Sequence, residues 1–420
     1  MSVFHELEDF GKRIGTDVNR MVQEGKQELE QHVTEHPETL FALLRTVKPV
    51  LLIHDIAIVT RYEDVVNVLT NDGAFSVEPY TDKMQSLAGD FILGLNETPE
   101  YEHDVSILRL AAPRSDVPKL SEFVAETAEQ LVGHAAEADG MVNVADVAKR
   151  VPARLIGRWF GTPGPDEDSM IAWTLSMFED IFVNVKNDPH IHDVAAEASS
   201  KLRPYLDETI SERKRARAGG ETMLDRLIAM QRTPATAFSD QEIATNIIGL
   251  VVGFIPTIAT ATTFAIDALL DRPEAVSSAQ AAARSNDIDA VRAHMWEAMR
   301  LAPQGPGLLR RAATDFVVGE GTHHATRVAA GTVTFASTES AMLDGDVVDD
   351  PDEFRVGRPA HHYLHFGAGL HQCFGRFANE MQIPLIAAAL LRRPNFARAE
   401  GDQGRLVKQG PYPQSLIVTV

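Results

Sequence analysis

One cysteine, Cys373, stands in a chain of 420 residues. Without a second thiol the chain can form no internal disulfide and no multi-cysteine zinc or iron–sulfur site, which leaves Cys373 as buried filler, nucleophile or lone metal ligand. Basic residues are also scarce, with 39 Lys and Arg against 60 Asp and Glu and a formal charge of −21. That balance argues against a nucleic-acid partner and against a basic face for anionic membranes. Long apolar runs are missing too. The most apolar stretch, Ile247 to Ile255, falls far short of the roughly 20 residues a membrane helix needs. From Met1 to Gly25 the chain carries Glu6, Glu8, Asp9, Lys12 and Arg13 where a secretory signal would have an apolar core. The expected setting is soluble and cytoplasmic.

What is present is enough for a large core, since 44% of the residues are hydrophobic. The length allows two or three average domains or one large helical domain, and neither an internal repeat nor a low-complexity segment is found. The lone cysteine sits in the stretch Phe366-Gly367-Ala368-Gly369-Leu370-His371-Gln372-Cys373-Phe374-Gly375-Arg376. Gly367, Gly369 and Gly375 strip side chains from around the sulfur, so a loop can turn tightly and backbone N–H groups can approach. From Phe374 through Ala378, Met381 and Ile386 to Leu391 the pattern is an apolar helix. Cys373 therefore stands at a positive helix end, where a thiolate is cheapest to hold.

Phe366, Gly369, His371, Cys373 and Gly375 fill the pattern Phe-x-x-Gly-x-His-x-Cys-x-Gly, which resembles the haem-binding loop of the cytochrome P450 family. The resemblance covers residue 49 to the end. It implies a single, mainly α domain with a small β subdomain and one haem b, with Cys373 as the axial ligand of the iron and Phe366, Gly367, His371 and Gly375 around the cofactor. It also gives meaning to Glu297-Ala298-Met299-Arg300. Read alone, Glu297 and Arg300 share a helix face and make an ordinary surface pair. In the family this signature is completed by an arginine, here Arg358 after Phe354, giving a buried structural triad. Arg310 and His371 are the expected cationic partners of the haem propionates, and His103, with Arg109 two places beyond the expected second position, is a further candidate.

Ser239-Asp240-Gln241-Glu242 is a capping box that opens a helix able to run to Asp271, some 32 residues or roughly 48 Å. The resemblance makes it the helix over the distal face of the haem. Counting back from Arg272-Pro273, its catalytic slots are Gly253, Phe254, Ile255, Pro256 and Thr257. The alcohol is present, but Pro256 replaces the expected acid. Proline does no acid–base chemistry, although it frees the carbonyl of Val252 and bends the helix. Leu250, Phe254, Gly307, Leu308, Phe178 and Phe182 are candidate pocket residues. The aromatic stripe of Met170–Val185 otherwise reads as core.

Three activities are compatible with these residues. One is oxidation of a small or medium apolar substrate with O2 and electrons from a ferredoxin and its reductase, docking near Arg376, Arg109, Arg114 and Arg392. Another is a peroxide-using peroxygenase or hydroperoxide isomerase, which the missing acid suggests. The third is non-catalytic haem binding of a gas or ligand.

Elsewhere, residues 1–48 read as a helical extension, and Val50–Ile53 with Ile56–Val59 as a hairpin around His54-Asp55. Arg61–Leu69 reads as a helix, residues 77–98 as an irregular loop, which the resemblance implies roofs the substrate pocket, and Pro99–Leu110 as the start of a helix. Leu120–Arg213 is helical with a break at Gly161–Pro165, and Lys214–Gly220 is a basic exposed loop. Val328–Gly331 and Thr332–Ala336 read as a hairpin. Ala341-Met342-Leu343-Asp344 departs from the family's Asn-Arg-Asp.

Overall fold

A computed structural model describes residues 37–217 and 219–420. Most of the expected N-terminal extension lies outside them; its last part is α1 (Pro37–Val47). β1 (Val50–Ile53) and β2 (Ile56–Val59) form the expected hairpin, with His54 at φ 50° in the turn. Next come α2 (Tyr62–Thr70) and β3 (Phe75–Ser76). Residues 77–98, expected as a loop, contain α3 (Glu78–Leu87) and a 3-10 turn at Ile92–Gly94. The sequence of α3 is polar apart from Tyr80, Met84 and Leu87, a short stripe at spacings of four and three that is buried. Its terminal carbonyls, those of Leu87 and Ala88, accept hydrogen bonds from the side chains of Ser199 and Arg203, partners invisible to local pattern reading.

The helical region follows as α4 (Pro99–Ala111), α5 (Val117–Asp139), the short strand β4 (Met141–Asn143) and α6 (Val144–Leu155) with a π turn at Ile156–Phe160. Gly161 at φ 82° makes the anticipated break. Then come α7 (Glu167–Phe178), a second π turn at Glu179–Val183, α8 (Pro189–Ala216) and α9 (Met223–Met230). α8 extends into the expected basic loop, where Lys214 pairs with Asp240, and Arg213 just before it pairs with Asp225. α10 (Asp240–Val252), α11 (Ile255–Leu270), α12 (Pro273–Arg284) and α13 (Ile288–Leu301) complete this run. The rest is β5 (Leu308–Ala312), β6 (Phe316–Val318), β7 (Thr326–Val328), β8 (Val333–Ala336), α14 (Thr338–Met342), α15 (Arg376–Leu391), β9 (Ala397–Arg398), β10 (Val407–Gln409), β11 (Tyr412–Ser415) and β12 (Ile417–Thr419).

The chain divides into two compact units. The first takes residues 37–79, 305–353 and 359–371 of the described chain. Its five-stranded sheet has the order β1-β2-β8-β5-β3, with β8 parallel to β2 and antiparallel to β5. The expected hairpin of residues 328–336 does not form: β7 pairs with β6, and Gly331 at φ 89° turns the chain away so that β8 joins the larger sheet. Val59, Val65, Leu69, Phe75, Ala336 and Met342 fill the core beneath that sheet. Asp344 accepts the Tyr62 backbone N–H at 2.9 Å and so caps α2.

The second unit takes residues 80–304, 354–358 and 372–420. α11 packs on α6 and α13, and α15 packs on α5 and α13. The apolar character of this layer was underestimated from the sequence. The stretch Pro234–Leu270 contains an 18-residue window apolar enough to cross a membrane, with mean hydropathy 1.9, yet 78% of that window is buried in the fold, as in a core helix.

Candidate functional site

The cysteine loop is shaped by its glycines. Gly367 and Gly369 adopt φ of 66° and 76°, the left-handed region that glycine enters freely. At Gly369 the constraint is double, because a Cβ there would lie 2.4 Å from the Leu69 carbonyl oxygen. Phe366 is half-buried with the His365 ring edge-on at 6.0 Å. Gly375 caps α15, and the Arg376 N–H bonds the Cys373 carbonyl at 3.2 Å. Cys373 is a half-buried free thiol at the helix start. Burial pushes this thiol up, opposed by the Gly375 N–H and by the Arg109 and Arg376 cations. A thiol held protonated in this way is a poor unaided nucleophile but a suitable metal ligand, since coordination itself removes the proton.

Arg109, on α4, reaches this loop. Its Nη1 donates to the Phe374 carbonyl at 2.9 Å and its guanidinium lies 4.0 Å from the centre of the Phe374 ring. His103 turns elsewhere: Nδ1 contacts Asp104 at 3.2 Å and the ring meets Phe238 edge-on, leaving the side chain 44% exposed. The two residues are six positions apart and point away from each other, so the α4 residue that touches the cysteine loop is Arg109.

The expected triad is assembled. Glu297 accepts from Arg300 at 2.7 and 3.1 Å, from Arg358 at 2.9 Å and from the Arg355 backbone N–H at 3.0 Å. Glu297 and Arg300 are fully buried and Arg358 nearly so. Burial would raise the Glu297 carboxyl, but the two guanidinium groups and the Arg355 N–H outweigh it and hold the carboxyl below its ordinary value.

In the first unit, Arg310 is 3% exposed on β5. Asp72, which carries no motif, accompanies it. His371 Nε2 lies 3.7 Å from Asp72 Oδ1. Burial, aided by Arg310, lowers His371 to about 4. That lowering favours the neutral form of the His371 imidazole in this setting. The Asp72 carboxyl is raised by burial, with Arg310 and the Leu370 N–H opposing.

The expected single distal helix is two. The capping box is present, with Ser239 Oγ accepting from the Glu242 N–H at 3.2 Å and Glu242 accepting from the Ser239 N–H at 2.6 Å. α10 ends at Val252 and α11 restarts at Ile255, so Pro256 lies in a first turn, where a missing N–H costs little. Phe254 is 6% exposed and packs on Phe160 at 5.4 Å and Trp159 at 6.3 Å, so its bulk goes into the helix layer. Leu250, Gly253 and Thr257, on one face at spacings of three and four, are half-buried. A Cβ on Gly253 would meet only its own helix's carbonyls, at 3.7 Å or more. Thr257 Oγ1 donates to the Gly253 carbonyl at 2.6 Å. No ionisable side chain occurs between Leu250 and Thr257.

The remaining candidates are placed within their own units. Phe178 and Phe182 stack at 4.7 Å, and Phe182 lies 5.3 Å from Tyr80. Gly307 is pressed against β8, where a Cβ would lie 2.4 Å from the Ala336 carbonyl, and Leu308 packs on the first unit's core. Of the proposed docking cations, Arg392 is occupied by Glu129 and Asn286, and Arg376 pairs with Glu380. Arg114 lies on an exposed 3-10 turn.

A lone thiol at a helix start, with the Arg109 cation beside it in a glycine-shaped loop, is the arrangement of a haem–thiolate protein. The donor chemistry fits the group: sulfur for iron, and Arg310 and His371 as donors for carboxylates. The description Cytochrome P450 matches residues 45–417, and the chain belongs to that family, whose cofactor is haem. Nocardicin C N-oxygenase from Nocardia uniformis subsp. tsuyamanensis is 28% identical over 373 residues, 84% of this chain and 87% of that protein. Mycinamicin IV hydroxylase/epoxidase from Micromonospora griseorubida is 26% identical, covering 80% of this chain and 81% of its own. The crystal structure of CalO2 superposes with a TM-score of 0.79 at 22% identity, covering 92% of this chain and 96% of that one. The chain is thus a P450 oxygenase by family and has the P450 fold.

Proposed function

We propose that the chain oxidises a small or medium apolar organic substrate with O2 and electrons from a ferredoxin-type partner and its reductase. The observation that carries this reading is the face formed by Leu250, Gly253 and Thr257: an apolar wall, a bare backbone position and one hydroxyl. Haem supplies the redox-active iron when bound, and Cys373 would hold it through sulfur, with Arg310 and His371 on its carboxylates and Phe366, Gly367 and Gly375 around the loop. Arg109 fixes the Phe374 carbonyl and brings positive charge beside the sulfur. With its proton on the Gly253 carbonyl, the Thr257 hydroxyl presents lone pairs and accepts a hydrogen bond. Because Pro256 carries no acid, protons reach this face through water. Arg109 and Arg114 are the basic groups best placed for an acidic electron donor.

A second reading has its own support. A stretch of 112 residues is 38% identical to the bifunctional dioxygenase (DOX)-epoxy alcohol synthase (EAS) of Pyricularia oryzae, covering 27% of this chain and 10% of that protein. A peroxide or hydroperoxide substrate arrives with its O–O bond made and needs neither an electron donor nor a relay acid. The two readings separate when turnover of an apolar substrate panel is followed under 18O2 with ferredoxin, reductase and NADPH, and separately with hydrogen peroxide or a fatty-acid hydroperoxide alone. Label in the product only with the donor system supports the first reading. Donor-independent turnover without label from 18O2 replaces it with the second.

A further inference from the structure

Two carboxamides interrupt the apolar face of α15. Asn379 is 8% exposed and Gln382 fully buried, one turn apart. Gln382 Nε2 donates to Asn379 Oδ1 at 3.0 Å, while Gln382 Oε1 is buried with no hydrogen-bond partner. An unpaired buried carbonyl is destabilising, and leucine at 382 would avoid it. What the pair does instead is orient Asn379. With Oδ1 engaged, the Asn379 Nδ2 group makes no hydrogen bond among the described residues, and the side chain leans toward the preceding turn, as helical side chains do. A Cβ built on Gly375 would find two neighbours within 4 Å: Cys373 Sγ at 3.9 Å and Asn379 Nδ2 at 4.0 Å. Sulfur and amide nitrogen thus flank the one position that glycine leaves empty. The reversed arrangement would point the Asn379 oxygen at this space and leave the Gln382 donors buried and unused, both unfavourable beside an anionic sulfur.

We infer that Asn379, aligned by Gln382 and given room by Gly375, is a positioning residue that directs an N–H dipole at the Cys373 sulfur and moderates its electron donation. The inference rests on the haem–thiolate site. An N–H dipole stabilises negative charge on the ligand, so it raises the reduction potential of a thiolate-bound iron; hydrogen bonds to sulfur are among the protein's means of setting such potentials. Asn379→Leu removes the dipole, and Asn379→Asp reverses it.

The test is spectroelectrochemical titration of the haem-loaded protein, together with the C–O stretch of its ferrous carbon monoxide complex. The potential falls in the order wild type, Asn379→Leu, Asn379→Asp, and the C–O stretch falls with it as the sulfur donates more. Gln382→Leu releases Asn379 and gives an intermediate potential, while removal of the unpaired carbonyl leaves the thermal midpoint equal or higher. Gly375→Ala, which places a methyl group between the two atoms, also lowers the potential. A merely structural role would shift thermal midpoints and leave potential and C–O stretch unmoved in all four variants, and that result overturns the inference. Should Asn379→Asp fail to fold, the Gln382 and Gly375 variants decide alone. Failure of the underlying site is separately visible as a wild-type spectrum without thiolate character.

Discussion

Two glycines six residues apart respond in opposite ways to the same methyl group. At Gly369 an alanine must hold φ near 76°, which costs about 1–2 kcal/mol for an L-residue. Its Cβ would also lie 2.4 Å from the Leu69 carbonyl oxygen and 2.9 Å from Thr70 Cα. Both are backbone atoms at the end of α2, so no side chain can swing aside, and displacing them adds about 1–3 kcal/mol of overpacking. The sum, about 2–5 kcal/mol, is a large share of the 5–15 kcal/mol typical of a folded domain. At Gly375, φ is −81° and no neighbouring atom comes closer than 3.9 Å. Alanine there loses only the modest advantage of glycine as an N-cap, about 0.5 kcal/mol. Urea unfolding of both variants, with haem stoichiometry of the purified protein, tests this. Gly369→Ala should unfold at clearly lower urea and carry less haem, whereas Gly375→Ala should match wild type in both. Equal stability of the two variants would refute the geometric reasoning.

Glu297→Ala leaves the Arg300 and Arg358 guanidinium groups buried without their carboxylate and should cost about 3–5 kcal/mol, while Arg355→Ala, which keeps the backbone N–H that bonds Glu297 and alters an exposed side chain, should cost less than Glu297→Ala; denaturant midpoints distinguish them. The lowered Glu297 carboxyl sets the sign of a pH effect. Its stabilising contribution is present above the unfolded carboxyl value, about 4.3, and is lost as pH falls through the folded value, so the acid limb of stability should be shallower in Glu297→Gln. Arg310→Leu removes a buried cation from the proposed carboxylate contact, worth about 1.5–3 kcal/mol. Haem transfer to excess apomyoglobin should then be about 10- to 100-fold faster with the thiolate spectrum intact, and an unchanged rate would remove Arg310 from the cofactor set.

Much of this site was legible because its residues are close in sequence or carry unusual chemistry. The lone Cys373 among glycines, the Glu297 and Arg300 pair with Arg358 after it, and the Ser239 and Glu242 capping box all announce themselves locally. What escaped depended on distant partners. α3 is completed by Ser199 and Arg203 from α8. Phe254, ambiguous as a sequence feature, finds its place only against Trp159 and Phe160 on a π turn. The divided distal helix follows from Phe254 and Pro256 together, where Pro256 alone suggested a bend in one helix. The lowering of His371 by burial beside Arg310 has no local sign, and Asp72 carries no motif at all. Asn379 and Gln382 were hidden in a segment that reads as a plain apolar helix, their spacing of three being the only sign.

The measurement that bears most directly on the account is the reduced carbon monoxide difference spectrum of the purified protein beside that of Cys373→Ser. A Soret band in the haem–thiolate position that is lost in the variant is the predicted result. A protein that binds no haem, or a spectrum that survives the loss of Cys373, would contradict the assignment of the site.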